Sequence, residues 1–397
     1  MPHLRTRFQL SKVKPLASLW PVVGVLGARQ VGKTTLLESF VKFASSVSFD
    51  DEEAVSSANN SAKAFLLKLE TPALIDEVQK VPKIFDALKA RVHSVRKPGS
   101  YFITGSVGFS EGADIRESLT GRIGTIELNP MVVAEALEVG APKVISFSFK
   151  DGFQPRVSLD QFLHHQANGG MPVPMFLRDQ SQRNIYWEGW LSTTLLRDVA
   201  RFFKGRFEPD FAYRILQEFG RILREGEIPT VSHFRIKDPR KLKRYLVALE
   251  SVFLIRKIPC HEKGIGLDQW YLLDSGLCSH LMNEQTSEGA ALSLSRHAVL
   301  NEIIMNLDLH QNKTQRGVHP VRYFKSARGT PIDFVVSNQP VKIVPLSEVG
   351  KGAWGWHAKS ILGAQKKLGS KKAILLAPVQ KVHTENDFSI YPFSIWS

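Results

Sequence analysis

Residues 20–43 read WPVVGVL GARQVGKT TLLESFVKF. Trp20 to Leu26 is a short apolar run, the pattern of a buried strand, and Thr35 to Phe43 carries apolar residues at helical spacing. Between them Gly27 and Gly32-Lys33-Thr34 are separated by four residues, the spacing of a phosphate-binding loop in its strand–loop–helix setting. The two glycines let the backbone turn tightly and point N–H groups at phosphate oxygens. The predicted cradle is Gly27, Ala28, Arg29, Gln30, Val31 and Gly32. Lys33 then reaches the β/γ-phosphates, Thr34 ligates Mg²⁺ and Thr35 stands beside it. The expected ligands are ATP and Mg²⁺. No base-reading motif separates ATP from GTP.

The next 100 residues supply partners for such a loop. Val47 to Phe49 reads as a second strand ending in Asp50-Asp51, followed by helix to about Lys68. PALIDEVQ then gives a buried strand with Asp76 and Glu77 at its C-terminal tip, the sheet edge where phosphate chemistry is placed. Asp76 is expected to hold Mg²⁺ through water, and Glu77 to polarise the attacking water. Ile84 to Val95 reads as an amphipathic helix. Tyr101 to Ser106 is the next strand, ending in hydroxyls of Thr104 and Ser106 suited to a γ-phosphate sensor. Arg122 stands ahead of a fifth strand, Gly124 to Leu128. It is either an arginine finger, acting in cis or on a neighbouring subunit, or a structural ion-pair residue.

The composition bounds the setting. The 397 residues suit two or three domains, and 43% apolar content supports sizeable cores. Cys260 and Cys278 have no metal-like spacing and read as reduced thiols. No apolar run approaches a membrane span and the N-terminus has no apolar signal region, so a cytoplasmic protein without membrane contact is expected. The net charge is +14, and residues 197–263 alone hold 16 basic against 9 acidic side chains. That excess points to an anionic partner for the middle segment, nucleic acid first, against the plainer reading of solvated surface cations.

In the middle segment, Phe211 to Leu223 reads as an amphipathic helix and PTVSHF as a short turn-rich element. Asp238-Pro239 is a helix start, with an N-cap followed by proline at the first helical position. Leu242, Tyr245, Leu246 and Leu249 make the apolar stripe of that helix, and Arg240, Lys241, Lys243 and Arg244 crowd its N-terminal half. FLIRKIP then reads as a β-ribbon strand. The order is that of a winged helix, which serves either nucleic acid or a protein partner. The four cations are the expected nucleic-acid contacts, to phosphate rather than to bases.

The carboxylate beside the Walker-B aspartate and the sensor strand resemble the additional-strand class of P-loop ATPases, to which AAA proteins belong. GARQVGKTTLL, LIDEVQKVP, ITGS and SLTGRI together resemble prokaryotic AAA-type ATPases that carry a C-terminal domain of unknown function. The resemblance is specific over about residues 15–140. NGGMPVP (168–174), Arg197-Asp198 in the helix Trp190 to Phe202, and WYLLDSGL (270–277) with Asp274 also resemble that family. The remaining elements are similar to a restriction-endonuclease fold. Glu302 lies on the helix His297 to Leu307 and Asp333 on the second of two paired strands. A third strand, VKIVPLSE, carries Pro345 and Ser347 where the fold's Glu-x-Lys belongs, so the nuclease site is expected to be dead. His164-His165 has no metal-spaced partner, and Trp354 and Trp356 read as a surface contact or a lid.

The expected fold is therefore α/β. Residues 1–150 form an AAA-type P-loop domain, 151–265 a helical linker with a winged helix, and 266–397 an inactive restriction-endonuclease-like domain. The expected activity is ATP hydrolysis that controls the grip on DNA, RNA or a protein partner, with a homo-oligomer open. The alternatives are a nucleotide-gated scaffold with little turnover, and an active ATP-driven nuclease.

Overall fold

The computed structural model describes residues 4–94, 96–108, 121–141, 149–283, 287–310, 320–327, 329–348, 354–385 and 387–396. After helix α1 (Leu10–Leu19), β1 (Val22–Leu26) leads through the glycine loop into α2 (Lys33–Phe40). Then follow β2 (Ser45–Ser48), α3 (Glu52–Asn60), α4 (Ala62–Leu67), β3 (Ala73–Asp76), α5 (Lys83–Ser94), β4 (Tyr101–Gly105), β5 (Ile123–Glu127) and the short α6 (Val133–Ala136). The five strands are all parallel in the order β2-β3-β4-β1-β5. The strand bearing Thr104 thus lies between the P-loop strand and the strand bearing Asp76, which is the additional-strand arrangement.

The central strands β1, β3 and β4 are buried on both faces, as parallel strands covered by helices are, whereas the outer strands β2 and β5 are partly exposed. Val23, Val25, Leu74 and Phe102 point to one core, whereas Val22, Ile75, Tyr101 and Ile103 point to another beneath α5. The alternation follows the two-residue period of a strand. It explains why the runs read as unbroken apolar sequence.

The middle of the chain holds α7 (Leu159–Asn168), α8 (Gln180–Thr193), α9 (Pro209–Arg224) and α10 (Pro239–Ser251). The helix expected over 190–202 is not one regular helix. It begins at Gln180, passes through a π-helical turn (Thr194–Asp198) and tightens to 3₁₀ geometry (Val199–Phe203). A π-turn inside a helix often marks a functional site. The α10 start is as expected. Pro239 is its first residue, and the Asp238 carboxylate accepts from Arg240 N at 3.0 Å and Lys241 N at 2.9 Å. Strand β6 (Ile255–Ile258) pairs antiparallel with β7 (Gln269–Leu272), so the ribbon crosses the boundary expected at 265/266.

The rest is α11 (Ser275–Leu281), α12 (Glu288–His310), β8 (Val321–Phe324), β9 (Ile332–Val336), β10 (Gln339–Ile343), α13 (Trp354–Leu368), β11 (Ile374–Ala377), β12 (His383–Thr384) and β13 (Ser389–Pro392). Strands β8 to β13 form a mixed sheet ordered β12-β13-β11-β10-β9-β8. The strand expected over 341–348 ends at Ile343, and Pro345 leads instead into a single 3₁₀ turn, Leu346–Glu348. One continuous buried core runs from Val13 through the middle helices to Trp396. The three segments therefore share one hydrophobic core, and the first and last segments also hold a smaller core of their own.

One buried junction joins all three. The Asp274 carboxylate accepts four backbone N–H groups, from Gly170 (2.7 Å), Met171 (3.1 Å), Gly276 (2.8 Å) and Leu277 (3.2 Å). A Cβ on Gly169 would lie 1.9 Å from Asp274 Oδ1, and one on Gly170 2.0 Å from the Met131 carbonyl. The glycines of NGGMPVP are thus where the backbone passes between β5's exit and α11. Burial outweighs the four N–H donors and lifts the Asp274 carboxyl to about 6.

Candidate functional site

The loop after β1 is built for close approach. A Cβ on Gly27 would sit 2.3 Å from the Leu128 carbonyl, and Gly32 has φ +101°, a conformation that side chains disfavour. Lys33 opens α2 and is buried, with Nζ 3.1 Å from the Gly27 carbonyl and 3.0 Å from that of Ala28. Burial depresses its pKa, and the nearby Glu77 and Asp76 charges oppose that effect. Thr34 is half-buried in the first helical turn, and Thr35 is exposed.

The acidic pair comes to the same edge. Thr104 donates to Asp76 Oδ1 and accepts from the Glu77 backbone N–H at 3.4 Å, so one hydroxyl ties both acidic residues to β4. Glu77 is buried and its backbone is left-handed (φ 56°, ψ 43°), a conformation that costs a non-glycine residue about 1 kcal/mol. Its Oε2 accepts from Ser106 Oγ at 3.1 Å and from the Gln79 amide, which also donates to Ser106 at 2.9 Å. Lys33, Asp76, Glu77, Thr104 and Ser106 thus converge at one edge of the sheet.

Residues 20–137 match a family described as an AAA domain. The N-terminal unit is an AAA-type P-loop domain. Two uncharacterized proteins, of Mycobacterium bovis and Mycobacterium tuberculosis, are each 25% identical over 327 residues, or 80% of this chain and 67% of their own. Among solved structures, a Walker-type ATPase of Pyrococcus abyssi overlaps 69% of this chain and 94% of its own at 14% identity, with a TM-score of 0.40. The ORC1 protein of Aeropyrum pernix, solved in complex with DNA, overlaps 72% and 93% at 14% identity, with a TM-score of 0.29.

The AAA domain does not hold its P-loop alone, and these supports escape a linear reading. Arg7 donates to the Val31 carbonyl at 2.9 Å and to that of Asn129, and pairs with the fully buried Glu135 at 3.2 Å. From the middle segment, Trp190 Nε1 donates to the Arg29 carbonyl at 3.1 Å and Tyr186 donates to Gln30 Oε1 at 3.0 Å. Arg29 Nε donates to Asp198 on the π-turn at 3.1 Å. The adjacent Arg197 bonds Asp50 at 2.6 Å, and Lys80 bonds the same carboxylate. Partial burial works against the charge on Asp50, but these two cations hold its carboxyl down at about 2. A cleft of about 860 Å³ opens here, lined by Asp50, Gln79, Lys80, Arg197 and Arg201 among others.

Arg122 is elsewhere. Its carbonyl accepts from Val22 N, at the start of β1 and β5, whereas the P-loop follows the end of β1. Five residues of strand separate the two edges by about 16 Å. A finger acting in cis is therefore excluded by the topology.

Of the four α10 cations, Arg240, Lys243 and Arg244 are exposed and Lys241 is half-buried. Lys241 pairs with Glu208 at 2.5 Å and lies 4.2 Å from the Phe211 ring centroid, while Arg244 lies 5.5 Å from that of Phe203. In the C-terminal segment, Glu302 of α12 accepts through Oε1 from Val133 N at 2.8 Å, at the first residue of α6 in the AAA domain. Asp333 accepts from Arg296 Nε at 2.7 Å and from Ile343 N at 2.8 Å. Lys342 donates to the Pro331 carbonyl at 3.2 Å, and Glu348 meets His357. Among the described residues no cluster of His, Cys, Asp or Glu has metal-binding geometry, and no helix is long and apolar enough to cross a membrane. Cys260 and Cys278 are both free thiols.

Proposed function

We propose that the chain is an ATPase whose nucleotide state controls its hold on nucleic acid through the basic middle segment. The observation that carries this reading is the convergence of Lys33, Asp76 and Glu77 at one sheet edge, with both acidic residues tied to Thr104. The site fits Mg·ATP chemically. The glycine loop takes a turn that side chains disfavour, with Gly32 at φ +101°, and among the described residues Lys33 has only neutral carbonyls as hydrogen-bond partners. A polyphosphate offers that ammonium an anionic partner. Thr34 and Asp76 are the residues that would hold Mg²⁺, which supplies charge neutralisation across the phosphates. Glu77 takes the proton of the attacking water, with Ser106 and Gln79 fixing its carboxylate.

The link to the rest of the chain runs through Arg29. Anionic phosphate beside the loop competes with Asp198 for that guanidinium, and Asp198 sits on the π-turn between α8 and α9. The helix α9, the turn at 231–233, α10 and the β6–β7 ribbon support the winged-helix reading, with Arg240, Lys243 and Arg244 toward phosphate. DNA or RNA is favoured over a protein partner by the exposed cations. The order α12, β8, β9, β10, α13, β11 supports the restriction-endonuclease-like reading, without cleavage. Glu302 is spent on α6 and Asp333 on Arg296, and β10 ends before the Glu-x-Lys positions. Isothermal titration with Mg·ATP tests the first step. Binding is expected for the wild type and lost in Lys33→Ala.

A further inference from the structure

A second groove lies far along the chain from the P-loop, between one face of α13 and the loop that joins β8 to β9. It measures about 340 Å³, within the range of small-ligand sites. Trp356, Lys359, Gly363 and Lys367 contribute one helical face, and Ser326 and Thr330 face them. The described lining contains no carboxylate.

Three independent features need an explanation that internal packing does not give. Trp356 is 57% exposed, unusual for the largest apolar side chain, and Lys342 Nζ lies 5.5 Å from its ring centroid. Gly363 sits in the interior of α13, where glycine weakens a helix relative to alanine. Yet an added Cβ there would meet nothing within 4 Å, so no neighbour among the described residues demands its absence. The Ser360 hydroxyl is buried at the groove without a hydrogen-bond partner among the described residues. An exposed aromatic ring, a floor kept bare, an unspent hydroxyl and two exposed lysines describe a place where a flat ring with attached phosphate can lie.

We propose that this groove binds single-stranded nucleic acid, with a base stacked on Trp356 and phosphates at Lys359 and Lys367. Stacking on an aromatic beside a cationic track is how single strands are held without base readout. Lys359 and Lys367 are eight residues apart on the helix, about 12 Å. One phosphate cannot meet both, so a strand of several nucleotides fits better than a free mononucleotide. The site is separate from the P-loop and from α10, and it stands whether or not either acts as proposed above.

The test uses the full chain and a 12-nucleotide single-stranded DNA carrying 5-iodouracil, with the matching RNA and duplex alongside. Photo-crosslinking followed by peptide mapping is expected to place the adduct on Trp356. Trp356→Ala should abolish that adduct and weaken binding about tenfold, the lower range for one stacked base. Gly363→Leu fills the groove with a better helix former, so α13 stays folded, and it should weaken binding equally. The adduct should persist in the Arg240→Ala/Lys243→Ala variant, which separates this site from α10. The proposal is overturned if the adduct maps elsewhere, or if Gly363→Leu binds as tightly as wild type. It is also overturned if AMP or polyglutamate displaces the strand as well as unlabelled oligonucleotide does, since either marks a different ligand class.

Discussion

Arg29, in the middle of the P-loop, donates to Asp198, which lies 169 residues further along the chain on a π-helical turn. Asp198 is buried and Arg29 mostly so. Removing one partner of a buried pair leaves a charge without compensation, at a cost of about 3–5 kcal/mol. Asp198→Ala should therefore lower the melting temperature by several degrees. The double variant Arg29→Met/Asp198→Leu should recover much of the loss. A double-mutant cycle by chemical denaturation checks this, and simple additivity of the two single changes would mean the pair is not coupled.

Thr104 orients both members of the acidic pair. Thr104→Val keeps the shape of the side chain but leaves Asp76 Oδ1 and the Glu77 N–H without their partner. The expected cost is about 1–3 kcal/mol of stability, with a fall of roughly tenfold in the turnover of ATP as Glu77 loses its fixed position. Thr104→Ser, which restores the hydroxyl, should recover the rate. Steady-state phosphate release on the three proteins measures both effects.

Glu302 gives the fold a pH dependence of definite sign. Burial raises its carboxyl to about 8, helped by the neighbouring Glu135 charge and opposed by the bond from Val133 N. Its ordinary value is near 4.5. Between these values the folded chain holds a proton that the unfolded chain has lost. This contribution is fully present below about 4.5 and drains away as pH rises toward 8, at up to about 1.4 kcal/mol per pH unit. Glu302→Gln removes the titration, so its stability relative to wild type should improve steadily from pH 5 to pH 8. A constant difference across that range would contradict the assignment.

Much of this site is legible in the sequence where the signal is local. GARQVGKT between a strand and a helix, and Asp76-Glu77 at a strand end, are each read from a few adjacent residues. Asp238-Pro239 likewise marks the start of α10. What is hidden acts over long separations. Nothing near Glu135 announces Arg7, 128 residues before it, and nothing near Arg29 announces Asp198. Gln79 was hidden in plain view, because its role depends on the left-handed turn at Glu77. Arg122 is a different case: in a parallel sheet the residue before a strand lies at the edge opposite the P-loop, which removes the finger in cis and leaves the neighbouring-subunit finger and the ion pair as the open readings.

The C-terminal sheet should not cut DNA. Asp333 is engaged by Arg296 and the Ile343 N–H, and the turn at 346–348 carries Glu348 to His357. Supercoiled plasmid incubated with the full chain and Mg²⁺ or Mn²⁺ should stay intact. Asp333→Ala should be destabilised by the stranded Arg296 instead of losing any cleavage. Metal-dependent nicking that disappears in Asp333→Ala would reverse this conclusion.

The exposed cations of α10 make a separate prediction. Binding of nucleic acid through Arg240, Lys243 and Arg244 should weaken steeply as salt rises, because each neutralised phosphate releases counterions. Replacing the three by alanine should flatten the plot of log affinity against log salt by about two to three phosphate contacts. Lys241→Ala should act mainly on stability, through its contacts with Glu208 and Phe211.

The most direct measurement is phosphate release from Mg·ATP by wild type, Lys33→Ala and Glu77→Gln at matched concentration. Hydrolysis by the wild type is expected, with loss of nucleotide binding in Lys33→Ala. Glu77→Gln should still bind ATP while turning over at least a hundredfold more slowly, since it lacks the carboxylate that takes the proton. Turnover in Glu77→Gln equal to wild type would contradict the assignment of Glu77 and, with it, the hydrolytic site described here.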